Sequence, residues 1–179
     1  MVHPLHIKEP SLSDSEDIKG IHIQAFDESD DQIIADFAVN LLKEKSFPKP
    51  ISLIAIQNDE IVGHIAFSPV FLVENDEHFA YILAPLAISP EYQKAKIGSI
   101  LVKHGLDCIS NIGSYLVFVY GDSNYYSRFG FQTNLAVNFI PPYPLKYPEG
   151  WLALKINDTH FPEGGRIKCV DSLYNPELW

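Results

Sequence analysis

A chain of 179 residues is long enough for one domain with a substantial buried core and short for two. Its hydrophobic fraction of 46% is that of a soluble globular protein, and no apolar run is long enough to span a bilayer. The formal net charge of -10 at pH 7 argues against a general nucleic-acid binder, which needs a basic face; it suits a cationic partner such as an amine, or serves solubility alone. In chain order, Leu5 to Glu9 alternates as an edge strand, and Ser13 with Glu16 reads as a capping box opening a helix to about Phe26, with Ile18, Ile21, His22 and Ala25 on one face. Ser29-Asp30-Asp31 starts a second helix, amphipathic through Ile33, Ile34, Phe37, Ala38, Leu41 and Leu42. Ile51 to Ile56 and Ile61 to Leu72 form a hairpin about Asn58-Asp59-Glu60. An acidic turn over Glu74 to Glu77 leads to a strand from about Phe79 to Ile88, then a loop from Pro90 and a helix from Ile97 to about Ile112. Tyr115 to Tyr120 is a strand buried on both faces. Asn124 to Phe129 is a short helix, and Leu135 to Phe139 a further strand. Past the proline-rich crossing at Pro141-Pro142-Tyr143-Pro144, Trp151 to Ile156 and Arg166 to Val170 read as strands of the same domain, a mixed α/β fold over residues 1–179 with its core at about 5–139.

The stretch from Leu83 to Gly98 carries the chemistry: an apolar strand enters a short polar loop and then a helix. A helix entrance exposes unpaired N–H groups and the positive end of the dipole, which suits a phosphate. Gly98 allows close backbone approach, and Lys94 and Lys96 add positive charge in an acidic protein. Pro85 cannot donate to a ladder, so it marks either a bulge that frees backbone groups for an extended ligand or a simple edge.

Ile88-Ser89-Pro90-Glu91-Tyr92-Gln93, with Ile97-Gly98-Ser99 and Leu101, resembles the acyl-CoA-binding motif of the GNAT superfamily, Val-x-Pro-x-x-(Arg/Gln)-x-x-Gly-x-(Gly/Ala). Tyr125-Tyr126-Ser127-Arg128-Phe129-Gly130-Phe131 resembles the family's Tyr-x-x-x-Gly-Phe signature, and with Gly121-Asp122, Pro-Pro-Tyr-Pro and the Trp151 strand it is similar to the YhbS-like subgroup of N-acetyltransferases. One residue departs from the motif: Lys96 stands where the first glycine would, either crowding the pyrophosphate or adding an ionic contact to it.

The resemblance implies a mixed sheet with a splayed strand pair flanked by helices, and transfer of an acetyl group from acetyl-CoA to a primary amine by direct attack. The pantetheine arm would pair with the backbone at Leu86, Ala87 and Ile88, and the pyrophosphate would lie beside Gln93 on the amides of Lys94, Ala95, Lys96, Ile97, Gly98 and Ser99. Tyr126 matches the family position that protonates the leaving thiolate, against the alternative of packing beneath the arm; a phenol pKa of about 10 keeps it protonated near neutrality. Asn124 would bond the cofactor or cap the short helix. The alternative to an enzyme is a non-catalytic acyl-CoA-binding protein with a degenerate loop.

No residue is singled out as the base: Glu28, Asp30, Glu74, Asp76, Glu77 and His78 are candidates or solvated surface groups, and the acidic turn favours a cationic acceptor. Cys108 lies on an apolar helix face and reads as an inert thiol; it and Cys169 fit free thiols in a reducing cytosol. His22, His64 and His104 have no ligand spacing, so no metal is expected. The first residues lack the pattern of a signal peptide, a cytoplasmic location is expected, no membrane partner is expected, and exposed strand edges make a homodimer an option.

Overall fold

The fold is built on one long hairpin. In a computed structural model that describes residues 4–26, 30–159 and 161–179, β3 (Glu60–Leu72) pairs antiparallel with β2 (Ile51–Gln57) on one side and β4 (His78–Ile88) on the other. The sheet extends through β1 (His6–Lys8) beyond β2, and through β5 (Leu116–Tyr120) and β7 (Trp151–Lys155) beyond β4. The β4–β5 pairing is parallel, as expected where the helix α3 (Ile97–Asn111) supplies the crossover. Beyond the end of β2, β8 (Gly165–Lys168) pairs with Phe71 and Leu72 of β3 and carries the two-residue β6 (Phe139–Ile140) on its other side. Pro69 falls in the gap between the β2 and β8 partners, where a residue without an N–H is tolerated.

Alternation sorts the strands onto two faces. Val117, Val119, Tyr81, Leu83, Ile65 and Phe67 pack against Ile97, Leu101, Val102 and Ile109 of α3. Phe118, Ala80, Ile82, Ala66 and Val70 pack on the other face against Phe37 and Leu41 of α2 (Asp31–Leu41) and the C-terminal residues Leu173 and Trp179. Ile18 of α1 (Ser15–Ala25) joins Ala38 and Ile54 on that second face. Trp179 pins the end of the chain: its indole N–H donates to Leu173 O at 3.0 Å, and its ring packs on Tyr120 and Trp151. Ser172 Oγ donates to Glu44 Oε2 at 2.7 Å, tying the same segment to the residues after α2.

Two local expectations are corrected. The helix-start hydrogen bonds belong to Ser11 and Asp14, not Ser13 and Glu16: Ser11 N–H donates to Asp14 Oδ2 at 2.7 Å around a 3-10 turn that leads into α1. Both pairs have the capping spacing, so spacing alone does not choose between them. Leu135 to Phe139 is not a strand; Thr133–Ala136 folds into one helical turn, α5, that buries Ala136, and only Phe139–Ile140 is extended. The start of the second helix at Ser29 lies outside the described residues, and α2 begins at Asp31.

Two of the histidines meet in the core. His22 Nε2 and His64 Nδ1 lie 2.8 Å apart, and Ser52 Oγ lies 2.8 Å from His64 Nε2. Both rings are fully buried, and a single run of donation from His22 Nε2–H to His64 Nδ1 and from His64 Nε2–H to Ser52 satisfies both bonds with neutral imidazoles. Burial depresses His22 to about 3, and burial reinforced by His22 holds His64 well below the ordinary value. Because the folded state refuses protons that the unfolded chain accepts below pH about 6.5, stability contributed by this pair is present above that pH and lost as pH falls. Lowering the pH from about 7.5 to 5.5 should therefore cost about 2–3 kcal/mol of unfolding free energy, at about 1.4 kcal/mol per pH unit for each ring once its unfolded form is protonated. Urea denaturation at the two pH values measures it, and the His22→Gln/His64→Gln protein should lose most of the difference.

Candidate active site

The site begins where two strands part. β4 and β5 pair from Ala80 with Leu116 to Leu83 with Val119, and no further. On its other edge β4 bulges: Ile65 opposes Leu86 and Phe67 opposes Leu83, so Ala84 and Pro85 together face Ala66. Of the two readings of Pro85, the bulge is the one adopted. The extra residue also shifts the alternation, so that Leu86 and Ile88 follow Tyr81 and Leu83 onto the α3 face. Ser89 N–H donates to Val62 O at 2.9 Å, and alternation along the ladder then turns the backbone groups of Ile88 and Leu86 away from β3 and toward the gap. Ala87, between them, is turned to β3.

A groove of about 680 Å³ runs through this gap. At one end it is lined by Gln93, Lys94, Lys96, Ile97, Gly98 and Ser99. Lys94 and Lys96 both take left-handed backbone, at φ 66° and 64°. This conformation suits the glycine that the motif carries at the Lys96 position: a non-glycine residue there costs roughly 1–2 kcal/mol. Lys96 keeps the conformation, and its side chain is exposed at the mouth rather than packed into the turn. Neither lysine is in an ion pair among the described residues. Gln93 Nε2 donates to Ile88 O at 3.3 Å, fastening the loop to the strand. Gly98 is buried, and a Cβ there would sit 2.7 Å from the Tyr125 hydroxyl and 3.6 Å from Ile88 Cγ1.

The other rim of the groove is the short helix α4 (Ser123–Tyr126) after β5. Its cap is Asp122, whose Oδ1 accepts the Asn124 N–H at 2.9 Å; Asn124 is therefore not the cap, and it does not line the groove. Ala95 also lies off the lining. Tyr126 and Tyr125 both line it, with rings edge-on at 5.0 Å. Arg128 lies over the Tyr125 ring at 4.3 Å, a contact that the three-residue spacing permits and that sequence reading did not register. Tyr126 packs edge-on against Phe131, and a Cβ at Gly121 would come within 2.8 Å of its ring, so Gly121 leaves the space the phenol occupies. Burial first, then Tyr125 and Asp122, raise the Tyr126 phenol above its ordinary value and keep it protonated.

The remaining candidates separate from the groove. Glu28 lies outside the described residues. Glu74, Asp76, Glu77 and His78 stand at the start of β4, the end opposite the gap; Asp76 pairs with Lys168, and Glu74 Oε1 accepts the Arg166 N–H at 3.4 Å. The acidic turn thus fastens β8 and lies off the groove lining. Asp30 is exposed and off the lining. Cys108 is likewise off the lining, and burial, helped by Glu9 and Asp107, raises its thiol, which opposes a thiolate nucleophile.

Comparison with known proteins agrees with this geometry. Residues 16–131, from α1 through the Tyr125–Phe131 block, match the model of the Acetyltransferase (GNAT) family. The chain is 33% identical over 174 residues to the uncharacterized N-acetyltransferase YjhQ of Escherichia coli K12, covering 95% of this chain and 94% of that one. It is 35% identical over 95 residues to YhbS of the same organism, covering 56% of that protein. Among solved structures, Escherichia coli YhbS in complex with CoA superposes with a TM-score of 0.81 at 20% identity over 97% of this chain and 93% of that one. A GNAT family acetyltransferase from Brucella melitensis in complex with acetyl-CoA gives a TM-score of 0.72 at 25% identity over 98% and 99%. With the strand gap, the helix-entrance turn and the tyrosine rim all inside or adjoining the matched region, the chain belongs to the GNAT family of acetyltransferases.

Proposed function

We propose that the protein transfers an acetyl group from acetyl-CoA to a primary amine by direct attack in a ternary complex. The observation that carries this reading is the groove that passes through the sheet where β4 and β5 part, lined at one end by a cationic helix-entrance turn and at its middle by a protonated tyrosine. Solved relatives of the same fold hold CoA or acetyl-CoA.

In this reading the pantetheine amides pair with the backbone of Leu86 and Ile88. The pyrophosphate lies on the N–H groups from Lys96 to Ser99, with the ammonium groups of Lys94 and Lys96 beside it. The amine nitrogen attacks the acetyl carbonyl carbon, a tetrahedral intermediate forms, and the C–S bond breaks as the amide forms. Tyr126 donates its phenolic proton to the leaving sulfur, giving CoA as a thiol, and recovers a proton from the one the amine nitrogen sheds. Catalysis rests on holding two reactants in line and on this one proton.

Replacing the acid should slow turnover without loosening the cofactor. Tyr126→Phe is expected to lower kcat about 100-fold, within the range for loss of a general acid, while calorimetry shows acetyl-CoA affinity close to that of the unaltered protein. Unchanged kcat removes Tyr126 from the chemistry. Gly98→Val should instead abolish cofactor binding in the same titration, because its side chain meets Tyr125 and Ile88 at the turn; retained affinity would mean that the pyrophosphate lies elsewhere. The pH profile has a definite shape too. Only the neutral amine attacks, so kcat/KM should rise tenfold per pH unit toward the amine pKa near ~10. Since Tyr126 is held above the ordinary tyrosine value, loss of the acid should not bend the profile down below pH about 10.

A further inference from the structure

The groove continues past the reaction point. On the face of the sheet opposite α3 it is lined by Phe26, Ile34, Phe37, Leu173 and Leu178, with Tyr120 beside them. We propose that this half of the groove receives the acceptor, and that the acceptor is a primary amine with an apolar body, an alkyl- or arylalkylamine, rather than a polycation. The proposal rests on the acetyltransferase reading above and adds the substrate class to it.

Three observations carry it. The first is continuity: the apolar lining belongs to the same cavity as the donor turn and Tyr126, so whatever occupies it meets the gap where the acetyl carbonyl would lie. The second is that the wall is built in advance. Leu173 and Leu178 come from the C-terminal 3-10 turns Asp171–Leu173 and Pro176–Leu178, and this segment is held by the Trp179 indole on Leu173 O, by Trp179 against Tyr120 and Trp151, and by Ser172 on Glu44. Phe26 is held by stacking on His22, itself fixed by His64. A wall held by such contacts spends little binding energy on closing. The third is charge. Among the described residues, the cations of the groove, Lys94, Lys96 and Arg128, stand on the donor side, and the carboxylate that lines it, Asp122, is exposed on the α4 rim with Oδ1 engaged by Asn124. The acidic turn expected to attract a cation is at the other end of β4 and holds β8.

An apolar seat also bears on the amine's proton. Desolvation disfavours the charged form, so the lining selects the neutral amine from solution and lowers the pKa of what it binds. The nucleophile is then delivered deprotonated, and the second proton is handed on only after attack.

The test is a homologous series. With acetyl-CoA saturating, thiol release is followed for n-propylamine, n-butylamine, n-pentylamine and n-hexylamine, with spermidine as the polycation and acetyl-CoA binding measured separately by calorimetry. A methylene moved from water into an apolar wall is worth about a fourfold gain, so kcat/KM should climb roughly three- to fourfold per added carbon and spermidine should fall below butylamine. Leu178→Lys should flatten that climb, and Phe26→Ala, made independently, carries the same expectation should the first variant fail to fold. A flat series, or spermidine preferred, overturns the assignment and leaves the acetyltransferase reading standing. Acetyl-CoA bound with no amine of either class acetylated also overturns it. A climb that follows the acyl chain of propionyl-, butyryl- and hexanoyl-CoA, with the amine series flat, assigns the wall to the donor and overturns it as well. Failure of acetyl-CoA to bind at all removes both readings together.

Discussion

Everything in this site depends on β4 and β5 ceasing to pair after Leu83 and Val119. A parallel pair buried on both faces would ordinarily continue, because each unpaired backbone group under the helices would go without a partner. Two features stop it here. The bulge at Ala84 and Pro85 bends β4 away, and the antiparallel β7 takes the far edge of β5 as far as Tyr120, so β5 stays in the sheet without β4. What is left is a strand, Leu86 to Ile88, satisfied on one edge by β3 and open on the other. That edge is a template for an extended ligand with amide groups of its own.

Conformation and charge at the helix entrance follow from the same economy. Left-handed backbone at Lys94 and Lys96 turns the loop tightly enough to aim the first amides of α3 into the groove. Glycine would do this without strain; lysine does it at an energetic cost and places an ammonium group at the mouth. In a chain of formal charge -10 these two residues, with Arg128, give the donor end a local sign opposite to that of the whole. A polyanion therefore meets a protein whose net field repels it and whose groove attracts it, which favours recognition at this one point.

The helix-entrance turn and the tyrosine rim were legible in the sequence, and the apolar wall opposite them was not. Gln93, Gly98 and Tyr126 come from two contiguous blocks whose spacing is set by a strand, a turn and a helix, so a linear motif records their geometry. Pro85 marked either a bulge or a simple edge, and only the register against β3 decides for the bulge. Asn124 and Asp122 are both plausible caps two residues apart, and only the position of the helix start decides between them. The place of the acidic turn was not legible because net charge carries no address; Asp76 and Glu74 have partners 92 residues away, in β8. His22 and His64 are forty-two residues apart, and no periodicity links a helix face to the strand it will cover.

That contrast has a physical cause. A cofactor with one fixed shape can be held by one continuous stretch, and its motif then persists as a unit. The opposite wall is assembled from four separate segments: the end of α1, the face of α2, the close of β5 and the C-terminal turns. Each contributes one or two apolar residues that, read alone, are ordinary core positions. Their convergence is enforced by interactions remote from the groove, the neutral His22–His64 pair beneath Phe26 and the Trp179 indole behind Leu173. In the proposed reading, selectivity for the acceptor resides in how α1 and the C-terminus are anchored to the sheet, and a change at either anchor alters the apolar wall while leaving the helix-entrance turn intact.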